Sequence, residues 1–490
     1  MSTIPEHFPM RVEDLNSTFA LTTERQALRQ RIANSSIPAM IDAITSISLG
    51  IVPPDHTTAT RTLEGGTWAA GLVNYQGQDL RNGVEQLLPF FDKLPLRTQR
   101  DLLQLIYQLY CPLPENDPLL KLVREEVLDK TDNPRFFSMA ALILQSHPRA
   151  AQSAGLHHPF SFRQLAEKRF GPAPEPNPHA LVTTSPHIQS LARAFLLEEP
   201  APWPLSKDLL AQLLQVPTPA PGLPLILHLQ STNRDHPGYM ILRRRDGRLV
   251  RNSERFGGLP LVIPVLARAK TNLPGTFTYG NTPRGWMSVQ GLALTTGNVF
   301  IGPAPMLLSE LPIEASPSRF FHNAPNAPTE WTEAAYRAIL PKIPQLSESL
   351  MESWTAGLAG RNEILFHGNV TEPGLHAVPG PTTLDEITSS TGTNPWDPYG
   401  PGMGCATTLE LWNPETGQAI YSGQITLVHG LLSADQNRNL PDQLDELLGT
   451  GPLPQPKAFI LSVDLFPADQ PIPPLSDLMP ALIELDSSSF

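Results

Sequence analysis

The chain has little cysteine: two residues in 490, Cys111 and Cys405. A disulfide framework is thereby excluded, and at most one bridge is open. No CxxC pair and no Cys/His zinc spacing occurs, so no metal is expected. Basic residues are also scarce, with 35 Lys and Arg against 47 Asp and Glu and a net charge of −12. That balance argues against nucleic acid held by a broad basic surface. No apolar run approaches the ~18 residues of a membrane span. The opening Met1-Ser2-Thr3-Ile4-Pro5-Glu6-His7 lacks the charged start and apolar core of a secretory signal. Gly-rich phosphate loops of Walker or Rossmann spacing are missing as well.

Proline is abundant instead, at 54 of 490 residues, about twice the usual share. The prolines are scattered among apolar segments, which reads as rigid loops and helix breaks. Hydrophobic residues make up 40%, enough to bury a sizeable core.

Residues 1–215 read as a helical domain. Apolar residues recur at three- and four-residue spacing in Asp101-Leu102-Leu103-Gln104-Leu105-Ile106 and in Phe136-Phe137-Ser138-Met139-Ala140-Ala141-Leu142-Ile143-Leu144. Cys111 follows an apolar helical stretch, which suits a small buried hydrophobe. Two Pro-rich connectors, 171–178 and 217–222, close this half. Residues 222–470 read as mainly β. Strands are expected at Leu225–Leu229, Tyr239–Leu242, Leu261–Leu266, Asn298–Ile301, Ile364–Phe366, Ile425–Val428 and Ala458–Val463, with a helical insert between Trp331 and Leu358. The proline in Leu261–Leu266 marks an edge strand. Arg243-Arg244-Arg245 abuts the turn Asp246-Gly247 and reads as a solvated strand end, with contact to an anion as the alternative.

Cys405 stands in Pro401-Gly402-Met403-Gly404-Cys405-Ala406-Thr407. Gly402 and Gly404 permit a tight turn before the thiol and would aim backbone N–H groups at a developing oxyanion. His367 ends the apolar run Ile364-Leu365-Phe366 and precedes Gly368 and Asn369. A histidine brought near a thiol makes it a nucleophile and returns the proton later. His429-Gly430 is a second candidate partner, in the Cys-then-His order of papain-like peptidases. Trp286 is a cleft-lining candidate whose other reading is core packing.

His-Gly at a strand end followed by a Gly-Cys turn resembles the L,D-transpeptidase (YkuD-like) catalytic domain, as does Thr282-Pro283-Arg284-Gly285 upstream. The likeness covers roughly 224–432. The chain departs from the family's Ser-His-Gly-Cys-x-Arg pattern at Gly402, Met403 and Thr407. The 38-residue separation of His367 and Cys405 implies a Pro/Gly-rich insertion near 371–399. The resemblance implies a catalytic domain of L,D-transpeptidase type, which together with the all-α domain read from the spacing gives an α+β chain. It implies an extracytoplasmic, periplasmic enzyme acting on peptidoglycan stem peptides through a cysteine acyl-enzyme, with no cofactor. Cys405 would be the nucleophile and His367 the base, then the acid. Gly404 and Gly402 would shape the oxyanion turn, and Gly368, Asn369, Thr282, Trp286, Met403 and Thr407 would line the cleft. The helical domain would hold wall glycan or a protein partner. Other expectations are a cysteine carboxypeptidase or amidase without cross-linking, and a non-catalytic scaffold with a degenerate site. Without the resemblance, a cytoplasmic protein is expected.

Overall fold

The computed structural model describes residues 22–72, 75–146, 159–170, 188, 205–254, 257–293, 304–362, 364–370, 402, 404–412, 419–441, 454–466 and 473–487. The chain forms two compact units. Gln26–Glu199 makes one, and Pro200–Phe490 together with Met1–Arg25 makes the other.

Helices make up the first unit: α1 (Thr22–Ser48), α2 (Thr57–Leu72), α3 (Gln78–Leu87), α4 (Leu96–Tyr110), α5 (Pro118–Leu122), α6 (Pro134–Gln145) and α7 (Pro159–Phe170). Their starts follow capping chemistry. Asp117 caps α5 by accepting from Leu119 N, and Asn133 caps α6 by accepting from Arg135 N, each with proline at the first helical position. Burial of Leu80, Gly83, Val84 and Leu87 on α3 follows the three-four spacing that faces one side of a helix to a core. Cys111, just past α4, is a free thiol, and burial pushes its pKa up to about 11. Cys405 likewise forms no disulfide.

Among the described residues the second unit has nine strands: β1 (Leu225–Ser231), β2 (Gly238–Arg243), β3 (Val262–Val265), β4 (Gly285–Ala293), β5 (Met306–Glu310), β6 (Ile364–Val370), β7 (Ala406–Trp412), β8 (Ala419–Ser422) and β9 (Ala458–Phe466). Their order is β3-β2-β1-β9-β4-β5-β6-β7-β8. The pairs β1–β9 and β6–β7 are parallel and the rest antiparallel. Just past β3, Leu266 and Thr407 exchange both backbone hydrogen bonds at 2.8 Å. That link brings the two ends of the sheet together, so eight strands form a nearly closed barrel with β8 appended to β7.

Both faces are covered, which explains why every residue of β1 is buried and its sequence reads as a near-continuous apolar run. On the outer face Leu227, Tyr239, Ile241, Trp286, Phe459 and Leu461 pack with α8 (Lys207–Gln215), α9 (Pro317–Phe320), α10 (Glu333–Ile339), α11 (Glu352–Leu358) and α13 (Leu475–Ser487). Helices α8 and α13 therefore belong to the sheet unit, which extends beyond 222–470 at both ends. On the inner face Ile226, Met240, Ile263, Met287, Phe366 and Ile460 join one core with Leu427, Val428 and Leu431.

Those last three residues correct the expected strand at Ile425–Val428. They lie on a helix, α12 (Gly423–Asp435), which touches β2, β3, β5, β6 and β7. Nearly every side of α12 is buried. Such a helix has no polar stripe, so its sequence shows an apolar run without a period, and a short apolar run reads equally as a strand. The expected strand at Asn298–Ile301 and the insertion near 371–399 lie outside the described residues.

Candidate functional site

β6 and β7 run parallel with His367 opposite Thr407, so Cys405 stands two register steps before the histidine's partner. Thr407 and His367, paired in register, share the sheet face opposite the one carrying Phe366 and Ala406, and Cys405 lies in the bend just before β7. His367 thus lies in β6, and Cys405 stands at the entrance to the adjacent strand β7. His367 is 4% exposed. Its Nδ1 lies 2.9 Å from Gly368 O, an acceptor-only atom. Nδ1 must therefore carry the proton, which leaves Nε2 as the basic nitrogen. Burial holds the imidazole down to about 4, against a weaker opposing effect of that hydrogen bond, so the ring is neutral at pH 7.

The turn before the thiol is fixed by a residue that sequence reading passed over. Arg361, between α11 and β6, is 2% exposed. Its guanidinium donates to Gly404 O and Gly280 O at 2.8 Å, to Asn281 O at 2.7 Å and to Gly275 O. One cation therefore ties the Gly-Cys turn to the loop that leads into Thr282-Pro283. Burial lowers its pKa to about 10, opposed by Glu352 and Cys405, and the group stays charged at neutral pH. The coupling is mutual: a thiolate at Cys405 favours the cation, and the cation favours the thiolate. Glu352 completes the clamp by accepting from Gly275 N at 3.1 Å, Arg284 N at 3.0 Å and Arg284 Nε at 2.8 Å. In sequence, Arg361 and Glu352 carry no motif; a lone arginine and a helix-start glutamate are ordinary surface residues.

Gly404 has φ +106, and a Cβ there would stand 3.0 Å from Tyr279 Cα and 3.4 Å from the guanidinium. The turn requires glycine at this position. Gly402 O accepts from Lys270 N at 2.9 Å, and Thr407 N is committed to Leu266 O, so that N–H is no oxyanion donor. Gly368 lies under the Glu410 side chain, where a Cβ would meet the carboxyl carbon at 2.1 Å. Thr282 is fully buried, with its N–H on Ala267 O at 3.0 Å and no hydrogen-bond partner for Oγ1 among the described residues. Asn369 is described as backbone in β6, and Met403 lies outside the described residues.

Trp286 does not line a cleft. It is fully buried on the outer-face core, donates from Nε1 to Ile339 O at 2.9 Å and meets Phe459 edge-on at 6.1 Å. An aromatic with a satisfied N–H on a strand between two covered faces is a core residue. His429 sits on α12, fully buried, and neither ring nitrogen has a partner among the described residues. Its pKa falls to about 4 through burial alone.

No metal-ligating group of three or more His, Cys, Asp or Glu occurs among the described residues. No helix among the described residues is long and apolar enough to cross a membrane. No family model, curated protein or solved structure matches this chain.

Proposed function

We propose that the chain is a cysteine acyltransferase with Cys405 as nucleophile and His367 as base and then acid. The observation that carries the reading is the buried guanidinium of Arg361, which fixes the Gly404-Cys405 turn and supplies positive charge beside the thiol. The tautomer set by Gly368 O supports it by presenting Nε2 as the basic nitrogen. Sγ attacks an amide carbonyl and its proton passes to His367. The C–N bond then breaks and His367 returns the proton to the leaving amine. A thioester remains, which an incoming amine or water resolves. The resemblance supplies the substrate class, a peptidoglycan stem peptide, and an extracytoplasmic site of action. Transfer to water alone gives the carboxypeptidase variant of the same chemistry.

Burial of His367 and Arg361 favours a second reading, in which the same clamp only seals the barrel seam of a non-catalytic scaffold. One experiment separates the two. Intact-mass spectrometry after incubation with a carbapenem is expected to show one adduct on the wild type and none on Cys405→Ala. An unmodified wild type, together with unchanged muropeptides, removes the enzymatic reading.

A further inference from the structure

In the basic run at 243–245 only Arg245 is solvated as its composition suggests. Arg243 is 9% exposed and donates to Val216 O at 2.8 Å and to Leu214 O, so it is structural. Arg244 is equally buried, and it faces a cavity of about 320 Å³ lined by Arg244, Arg248, Leu249, Arg251, Asn439 and Asp486. Three segments distant in sequence build the walls: the hairpin after β2, the turn after α12 and the end of α13.

The walls are fixed before any ligand arrives. Arg244 N donates to Arg248 O at 2.8 Å and Gly247 N to Arg244 O at 3.1 Å, which closes the hairpin. Asn439 Oδ1 accepts from Arg244 Nη1 and from Arg251 N, both at 3.3 Å. Leu440 N donates to Arg251 O at 3.0 Å. Asp486, whose side chain is 4% exposed, is committed to Arg251 Nε and to Leu249 N at 2.8 Å. Asp246 holds Arg244 from the side, at 3.1 Å to Nε and 2.7 Å to Nη2. Arg248 is exposed at the rim and makes no ion pair among the described residues.

Three guanidiniums therefore face one carboxylate across the cavity, and an excess of positive charge remains when Asp246 is counted as well. In a chain of net charge −12 this is a local reversal of sign. Planar guanidiniums with several N–H donors match tetrahedral oxyanions. The volume lies at the small end of ligand pockets, room for a phosphate and a compact organic body.

We propose that this cavity binds a phosphate-bearing small molecule, with Arg248 closing on the phosphate from the rim and Arg244 and Arg251 as fixed donors. The site lies apart from Cys405 in the fold and does not depend on the acyl-transfer reading.

Isothermal titration of the full-length protein with inorganic phosphate and with ribose 5-phosphate tests it, at constant ionic strength and against chloride. Saturable binding of both is expected, with the sugar phosphate tighter. Arg248→Gln is expected to weaken binding by roughly ten- to a hundredfold, as loss of one charge-assisted contact implies. Arg245→Gln is the control: it pairs with Asp435 outside the cavity and should leave affinity unchanged. No saturable heat, or equal affinity in Arg248→Gln, overturns the proposal. So does binding confined to phosphatidylglycerol vesicles, which would mark a lipid surface.

Discussion

At the residue scale, the site rests on one cation and on histidines kept neutral by burial. Arg361→Met leaves the carbonyls of Gly275, Gly280, Asn281 and Gly404 without their donor. A loss on the order of 3 kcal/mol is expected from charge-assisted bonds in a buried setting, read as a lower urea midpoint, together with slower alkylation of Cys405. If His367 is the base, its neutral form does the work, so the acid limb of the labelling rate should break near pH 4, where burial places it. A break near the ordinary imidazole value would show that the ring is not held as described. His429 gives the opposite kind of test. Its two nitrogens lack partners in an apolar interior, and an unpaired buried polar group costs about 1–3 kcal/mol. His429→Leu is therefore expected to raise the urea midpoint, whereas a second catalytic histidine would instead lose activity on replacement.

At the element scale, α12 is the part of the fold its own sequence conceals. Its start is set by Ser422, whose Oγ accepts from Ile425 N at 3.0 Å and donates to Glu410 Oε1 at 2.6 Å. Ser422→Ala removes a cap worth about 1 kcal/mol and leaves a buried carboxyl oxygen without that donor, for about 1–3 kcal/mol more. Chemical denaturation should show the sum, and Ser422→Thr should recover most of it. Other elements were readable from local pattern. Leu225–Leu229, Ile364–Phe366 and Ala458–Val463 lie in strands because covered faces demand continuous apolar runs. Pro264 lies in β3, the last strand in the hydrogen-bonded order, where a missing N–H is tolerated. Ile425–Val428 failed because the same kind of run serves a helix packed on all sides.

At the scale of the whole molecule, the buried histidines make the protein acid-sensitive. Burial lowers His228 to about 3 and His367 and His429 to about 4, with Arg234 adding to the effect at His228. Above pH 6.5 neither folded nor unfolded chain protonates them. Between pH 6.5 and 4 the unfolded chain takes up protons that the folded chain refuses, so stability falls as pH falls through that window. Each histidine contributes roughly 2 kcal/mol to the loss by pH 5. The urea midpoint should drop between pH 7 and pH 5, and less so in His429→Leu. Equal midpoints at the two pH values would refute the burial.

Composition and local spacing by themselves determined the division into helical and mainly β halves, the scarcity of cysteine and the Gly-Cys turn. These depend on residues near one another in the chain. What joins Arg361 to the Gly-Cys turn, sets His367 opposite Thr407, buries Trp286 and gathers three arginines around one cavity is the pairing of β6 with β7 and the packing of distant segments. Only the tertiary structure decided those contacts, because hydrogen bonds between backbone carbonyls and a remote guanidinium leave no periodicity to read.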